Sequence, residues 1–308
     1  MMMLDKFDPR KSTNLIGHKK NFLFLNDLIN SKKLPKVLLI SGDKGIGKFT
    51  LISHLMYSFF DKLNYNKAEN LIIKKSKFHQ QFLQSIFPNI IYLQGTNPKD
   101  NKIEIIRKLK NDLQKTSINN KIRFIIFDDI ELFNHNSLNA LLKILEEPNI
   151  NDYFVLIYNK SKPLLETIQS RCLELKLFLN KKTKKIILDH LTNFFKQKIF
   201  FDQDLIDTSP GNFLKYNHIV ENKVENLKEK YLENITIFLN LYKKEKDVFY
   251  KDLIIFFTEY NLKENNILNN EDFIEKRSKI LKIINEFFLY NLNQNNLLTG
   301  LERTFFYD

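Results

Sequence analysis

A chain of 308 residues with 43% hydrophobic content and a net charge of +12 is long enough for two or three compact units and too apolar to stay disordered. No apolar stretch approaches the roughly 18 to 20 residues that a membrane-spanning helix needs. The N-terminus has no apolar signal core, and the single Cys172 excludes an intrachain disulfide and a cysteine-rich zinc module. These features point to a soluble chain in a reducing cytoplasm, with no membrane partner. The positive charge suits a nucleic-acid partner, because Lys and Arg release counterions condensed on phosphate. Only six of the 48 basic residues are Arg, however, and the chain favours Lys, Asn, Ile and Phe over Gly and Ala, the bias of an A+T-rich coding sequence, so charge alone assigns no function. An Arg kept against that bias is a candidate for work that needs the planar guanidinium.

From about residue 15 to 178, short apolar runs alternate with longer helical patterns. The runs are Lys36–Ser41, Asn89–Leu93, Arg123–Asp128, Tyr153–Tyr158 and Leu173–Leu177. Most are nearly continuous in apolar residues, as a strand buried on both faces must be, and with helices between them they predict a parallel α/β sheet. The Lys- and Asn-rich stretch Lys62–Lys77 reads as an exposed excursion. From about 180 to 222 a helix over Lys182–Gln197, the turn Ser209-Pro210-Gly211 and a further short helix predict a small helical lid. Beyond 223, apolar residues recur at spacings of three and four, as in Leu227, Tyr231, Ile235 and Phe238, which predicts a helical bundle with Asn-rich connections near Asn261–Asn270. The expected organisation is therefore an α/β domain over 1–178, a helical lid over 179–222 and a helical domain over 223–308.

Between the first strand and the helix after it stands Gly42-Asp43-Lys44-Gly45-Ile46-Gly47-Lys48-Phe49-Thr50. This is a P-loop pattern: the glycines let backbone N–H groups turn around phosphates, the helix N-terminus adds its positive end, and the Lys reaches the outer phosphates. The position after Lys48 belongs to a magnesium-binding hydroxyl and here holds Phe49. Thr50 comes one place late, which turns its hydroxyl about 100° around the helix. Phe124 to Asp129 forms an apolar strand ending in acid, the Walker B pattern, whose first carboxylate supports Mg²⁺ and whose second orients water. The second is Asp129 instead of Glu, and its shorter reach retracts the carboxylate by about 1.5 Å, a misplacement that can cost about a hundredfold in rate. An acidic pair that merely ends a strand is the alternative. Asn139 to Pro148 reads as an amphipathic helix stopped by Pro148. Ser170-Arg171-Cys172 follows a strand and a short helix, where Arg171 either makes a local ion pair or is held outward to reach a phosphate on a neighbouring subunit.

Together the P-loop ending GKxT, the Walker B strand, the run LNALLKILEEP and the SRC triplet resemble bacterial clamp-loader subunits of the AAA+ class, and among them the delta-prime branch of DNA polymerase III. The resemblance is close over residues 14–178, from Leu15-Ile16-Gly17-His18 onward. It is looser through Ser209-Pro210-Gly211 to Tyr290-Asn291-Leu292-Asn293, which is similar to the family's C-terminal helix. It implies an AAA+ P-loop domain followed by a lid and a C-terminal collar, in a hetero-pentamer with gamma/tau ATPase subunits and delta that loads the sliding clamp on primer-template DNA. In the delta-prime branch, Arg171 would act in trans on a neighbour's ATP site, positioned by Ser170 and Cys172. Gly42, Gly45, Gly47, Lys48, Thr50, Asp128 and Asn159 would form a vestigial nucleotide site, with ATP and Mg²⁺ bound weakly or not at all. Phe49, the uncharged Asn212 at the family's cis-arginine position, and an end at Asp308 that leaves no room for a tau extension favour this branch over a gamma/tau-like ATPase with its own turnover. The family's four-cysteine zinc module has no counterpart, since residues 62–87 contain no Cys.

Overall fold

The structure is a computed structural model that describes residues 2–73, 76–95, 102–114, 122–224, 230–264 and 270–306. The chain divides into two compact units. One comprises residues 5–187 with 209–211, and the other residues 1–4, 188–208 and 212–308.

The first unit takes in residues 5–7 of the 3-10 turn Met2–Phe7 and the 3-10 turn Pro9–Lys11. Its main elements follow as α1 (Lys19–Asn30), β1 (Val37–Ser41), α2 (Lys48–Phe60), the short strands β2 (Tyr65–Asn66) and β3 (Leu71–Ile72), α3 (Lys77–Leu83), β4 (Ile90–Gln94), α4 (Lys102–Gln114), β5 (Arg123–Asp128), α5 (His135–Glu146), β6 (Asp152–Tyr158), α6 (Glu166–Gln169), β7 (Leu173–Lys176) and α7 (Lys181–Phe195). α7 begins in this unit and ends in the other. The five expected strands are β1, β4, β5, β6 and β7, paired in parallel in the order β4-β5-β6-β1-β7. The central strands need no polar face because both faces are covered. Val37, Leu39, Ile125, Phe127, Phe154 and Leu156 pack with α4, α5 and α6, while on the opposite face Phe124 meets Phe59 and Phe60 of α2. With β1 set between β6 and β7, the loop leaving its C-terminal end lies where the strand order reverses, the usual ligand crevice of an open parallel sheet.

The stretch expected as an exposed excursion is partly anchored. β2 and β3 pair antiparallel and bury Tyr65 and Ile72, while Leu63 stays exposed. Lys74 and Lys75 lie outside the described residues.

The second unit is helical: the end of α7, then α8 (Pro210–Lys223), α9 (Tyr231–Glu245), α10 (Phe249–Glu264), α11 (Asn270–Tyr290) and α12 (Gln294–Phe306). Its centre is aromatic. Phe201 lies edge-on to Phe256 and Tyr260 at centroid separations of 5.0 and 4.9 Å. Tyr231 stacks on Phe257 and Phe305, with its hydroxyl 3.0 Å from Thr258 Oγ1. The compact units number two where the sequence pattern suggests three segments, because Phe201 and Phe213 share one core with α10 instead of closing a core of their own. Two local expectations change as well. Asn261 continues α10, which runs to Glu264, and the connection expected near it falls on residues 265–269, outside the described residues. Tyr290 ends α11, Asn291 takes a left-handed turn at φ 49°, and a further helix, α12, follows. Among the described residues no helix is long and apolar enough to cross a membrane.

Candidate nucleotide site

The loop from Gly42 to Gly47 takes the shape its glycines permit, with φ of 152° at Gly42, 87° at Gly45 and 95° at Gly47. Successive carbonyls of the loop are held by hydrogen bonds. Lys48 Nζ donates to Gly42 O at 2.7 Å and Asp43 O at 2.6 Å, Ser209 Oγ to Lys44 O at 2.6 Å, and the Gly211 N–H to Gly45 O at 3.0 Å. Ile46 O accepts from His18 Nε2 at 2.7 Å, which fixes the proton of that buried ring on Nε2. Gly211 is required for this approach, since a Cβ there would stand 2.7 Å from Gly45 O. The loop leads into the first turn of α2, whose N–H groups have no intrahelical acceptor.

Lys48 is only 3% exposed. Burial pulls its ammonium down to about 8, against the opposing pull of Asp128, Glu131, Asp129 and Asp43. Its hydrogen-bond acceptors are neutral carbonyls, and the opposing negative charge comes from those four carboxylates.

The Walker B end of β5 is brought to the same place. Asp129 sits in the left-handed region at φ 52° and is buried; Asp tolerates this conformation better than most residues, though at some cost in strain. Asn159, one residue beyond β6, donates from Nδ2 to Asp129 Oδ1 at 2.6 Å. The fold thus joins Asp129 to the position expected as the sensor. Each carboxylate of the pair is built into a hydrogen-bond network. Asp128 Oδ1 accepts from the Asp129 N–H at 3.0 Å, and Oδ2 accepts from the Tyr92 hydroxyl at 3.0 Å. Burial, together with the adjoining Asp129 carboxylate, pushes the Asp128 carboxyl up to about 7.

Phe49 is buried with its ring edge-on to Tyr92, centroids 5.2 Å apart. The Arg10 guanidinium lies over the Tyr92 ring at 5.8 Å and is itself clamped by both oxygens of Asp8. Thr50 occupies the next place along α2, half-buried. A magnesium ion held in the manner of a working P-loop needs a hydroxyl after the Lys and a charged, accessible first Walker B carboxylate. These residues offer a phenyl ring and a carboxyl whose two oxygens already accept hydrogen bonds, and do not fit it.

Sequence reasoning missed Tyr92, which is 36 residues from Asp128, and Glu131. Glu131 is buried and accepts from the Asn159 N–H, the Ser161 N–H and Ser161 Oγ, so it holds the loop after β6. The only available signal for Glu131 was an acid two places beyond the Walker B pair.

Arg171 lies two residues beyond the short helix α6. Nε and Nη2 both donate to Glu146 Oε1, at 3.1 and 2.5 Å, and Nη1 donates to Thr167 O at 2.8 Å. The side chains are 34% and 48% exposed, so this is a surface pair. Cys172 Sγ donates to Ile168 O at 3.0 Å, and burial pushes its thiol up to about 12. Ser170 Oγ donates to Thr167 O at 3.2 Å. Both residues thus fix the turn that carries Arg171. Asn212 belongs to the other compact unit.

Residues 17–181 match the family described as DNA polymerase III, delta subunit. The chain is 25% identical over 235 residues to DNA polymerase III subunit gamma of Buchnera aphidicola subsp. Schizaphis graminum, covering 76% of this chain and 56% of that one. It is 29% identical over 148 residues to DNA polymerase III subunit delta' of Bacillus subtilis, covering 48% of this chain and 44% of that one. The chain therefore spans about half the length of these curated relatives. Among solved structures, a DNA polymerase III gamma subunit-related protein from Thermotoga maritima aligns with 92% of this chain and 99% of its own, at 16% identity and a TM-score of 0.47.

Proposed function

We propose a function from the premise that the chain belongs to the DNA polymerase III, delta subunit family and is a bacterial clamp-loader relative of the AAA+ class. It serves as the non-hydrolysing, delta-prime stator of a hetero-pentamer with gamma/tau ATPase subunits and delta, and so takes part in loading the sliding clamp onto primer-template DNA. The observation that carries this reading is Phe49. An aromatic ring packed on Tyr92 fills the place of the hydroxyl that turnover needs, while Tyr92 occupies Asp128. Arg171 then works in trans, leaving Glu146 to reach a neighbour's γ-phosphate. Such fingers are worth about 10³ to 10⁵ in rate.

The test is the assembled complex carrying Arg171→Ala. Loss of an exposed pair costs about 0.2 to 1 kcal/mol, so the chain keeps its melting temperature closely and the complex assembles. Clamp- and DNA-stimulated ATP hydrolysis falls in part, because the other sites keep their own fingers. Arg171→Lys restores only some of the loss, since it lacks the forked geometry. Unchanged hydrolysis in an assembled complex refutes the trans role.

A second reading, a gamma/tau-like ATPase, is favoured by the similarity to a chain named gamma over 76% of this one. It requires magnesium-dependent turnover by the isolated chain, which the stator reading excludes.

A further inference from the structure

The P-loop site divides into two halves in different condition. The phosphate half is complete. Its glycines hold positive φ, the carbonyls of residues 42 to 46 are all engaged in hydrogen bonds, and the loop runs into the N-terminus of α2. Lys48 is buried there with neutral carbonyls as its hydrogen-bond acceptors. An ammonium removed from water, with neutral carbonyls as its hydrogen-bond acceptors, gains from a directly bound anion.

The metal half is rebuilt as a hydrophobic and hydrogen-bonded plug. Phe49 stands at the hydroxyl position and packs edge-on against Tyr92. The Tyr92 hydroxyl and the Asp129 N–H take one oxygen each of Asp128. The Arg10 guanidinium lies over the Tyr92 ring as well. A divalent cation on Asp128 would compete with the Tyr92 hydroxyl for Oδ2. An unpaired buried hydroxyl is costly.

We infer that this P-loop binds a polyphosphate chain free of metal, as carried by an uncomplexed nucleotide or by inorganic polyphosphate, with the Phe49–Tyr92–Asp128 plug in place of magnesium. The inference rests on the reading of the site as a nucleotide-type cradle that does not turn over. It adds the ionic form of the ligand and assigns Tyr92 and Phe49 as the residues that exclude the metal.

Calorimetric titration of the full chain with ADP, and separately with inorganic tripolyphosphate, is run in excess EDTA and in excess magnesium chloride. The expected result is an affinity for at least one probe that is no tighter with magnesium than in EDTA, lost in Lys48→Ala. The probe that binds more tightly identifies the source of the phosphates. In the double variant Phe49→Thr, Tyr92→Phe, checked for folding by its thermal melt, magnesium should tighten binding by about tenfold or more, or about 1.4 kcal/mol. The wild-type comparison stands if that variant fails to fold.

Binding by the wild-type chain that tightens tenfold with magnesium overturns the inference, as does the absence of binding in both buffers or binding that survives Lys48→Ala. Absence of binding leaves the stator role standing, because that role needs no nucleotide on this chain. Magnesium-dependent binding with turnover defeats both.

Discussion

Lys48 carries the sharpest pH dependence in the site. Its ammonium is held at about 8 by burial, below the usual Lys value of about 10.4. Below about pH 8 the cation is already present to meet a phosphate. Above it, the folded chain holds a neutral amine that must first take up a proton. Affinity for ADP or tripolyphosphate in EDTA should therefore be level near pH 7 and fall by up to about tenfold for each pH unit above 8. Calorimetric titrations across that range give the slope directly, and a flat profile would place the bound anion away from Lys48. Stability runs the other way. Because the unfolded chain binds more protons between about 8 and 10.4, Lys48 contributes stability that increases as pH rises through that window.

At the scale of elements, the base of the sheet is tied by a buried ion pair. Arg123 and Asp152 open β5 and β6 and stand opposite each other in the register. The guanidinium donates from Nε to Oδ1 at 2.8 Å and from Nη2 to Oδ2 at 2.9 Å, and Nη2 also lies 3.4 Å from Leu113 O in α4. The side chains are 9% and 2% exposed. Removing one partner strands the other charge in a poor solvent, so Arg123→Ala should lower the unfolding free energy by about 3 to 5 kcal/mol. Denaturant titration measures it. Arg123→Lys should recover only part, because a point charge cannot bridge both oxygens and the helix carbonyl. A shift below about 1 kcal/mol for Arg123→Ala would mean that Asn149, which also donates to Asp152 Oδ2 at 2.9 Å, or water compensates the charge.

At the scale of the molecule, the helical unit depends on chain far downstream of the segment expected to act as a lid. Phe201 is 1% exposed and meets Phe213, Phe256, Phe257 and Tyr260. Asn217 Oδ1 receives the neighbouring Phe200 N–H at 2.8 Å. Deleting a ring at such a place leaves a cavity that the surroundings only partly fill, so Phe201→Ala should destabilise this unit by about 3 to 5 kcal/mol. The measurement is the unfolding transition followed by helical circular dichroism. A loss under about 1 kcal/mol would show that residues 188–208 are not part of the C-terminal core.

The sequence by itself determined the sheet, the P-loop and the order of the two. Each strand is a run of adjacent residues whose apolar content answers a local question, and the glycines of residues 42 to 47 encode their own backbone freedom. Phe49 was legible for the same reason, as one residue out of place in a contiguous motif. Partners distant in the chain were decided only by tertiary structure. Asp128 is met by Tyr92, Glu131 by Ser161, Arg171 by Glu146, and Lys44 by Ser209 from 165 residues away. Hydrogen bonds form between atoms about 3 Å apart whatever their separation in sequence. A carboxylate free to bind metal and one already given to a tyrosine are therefore spelled by the same Asp.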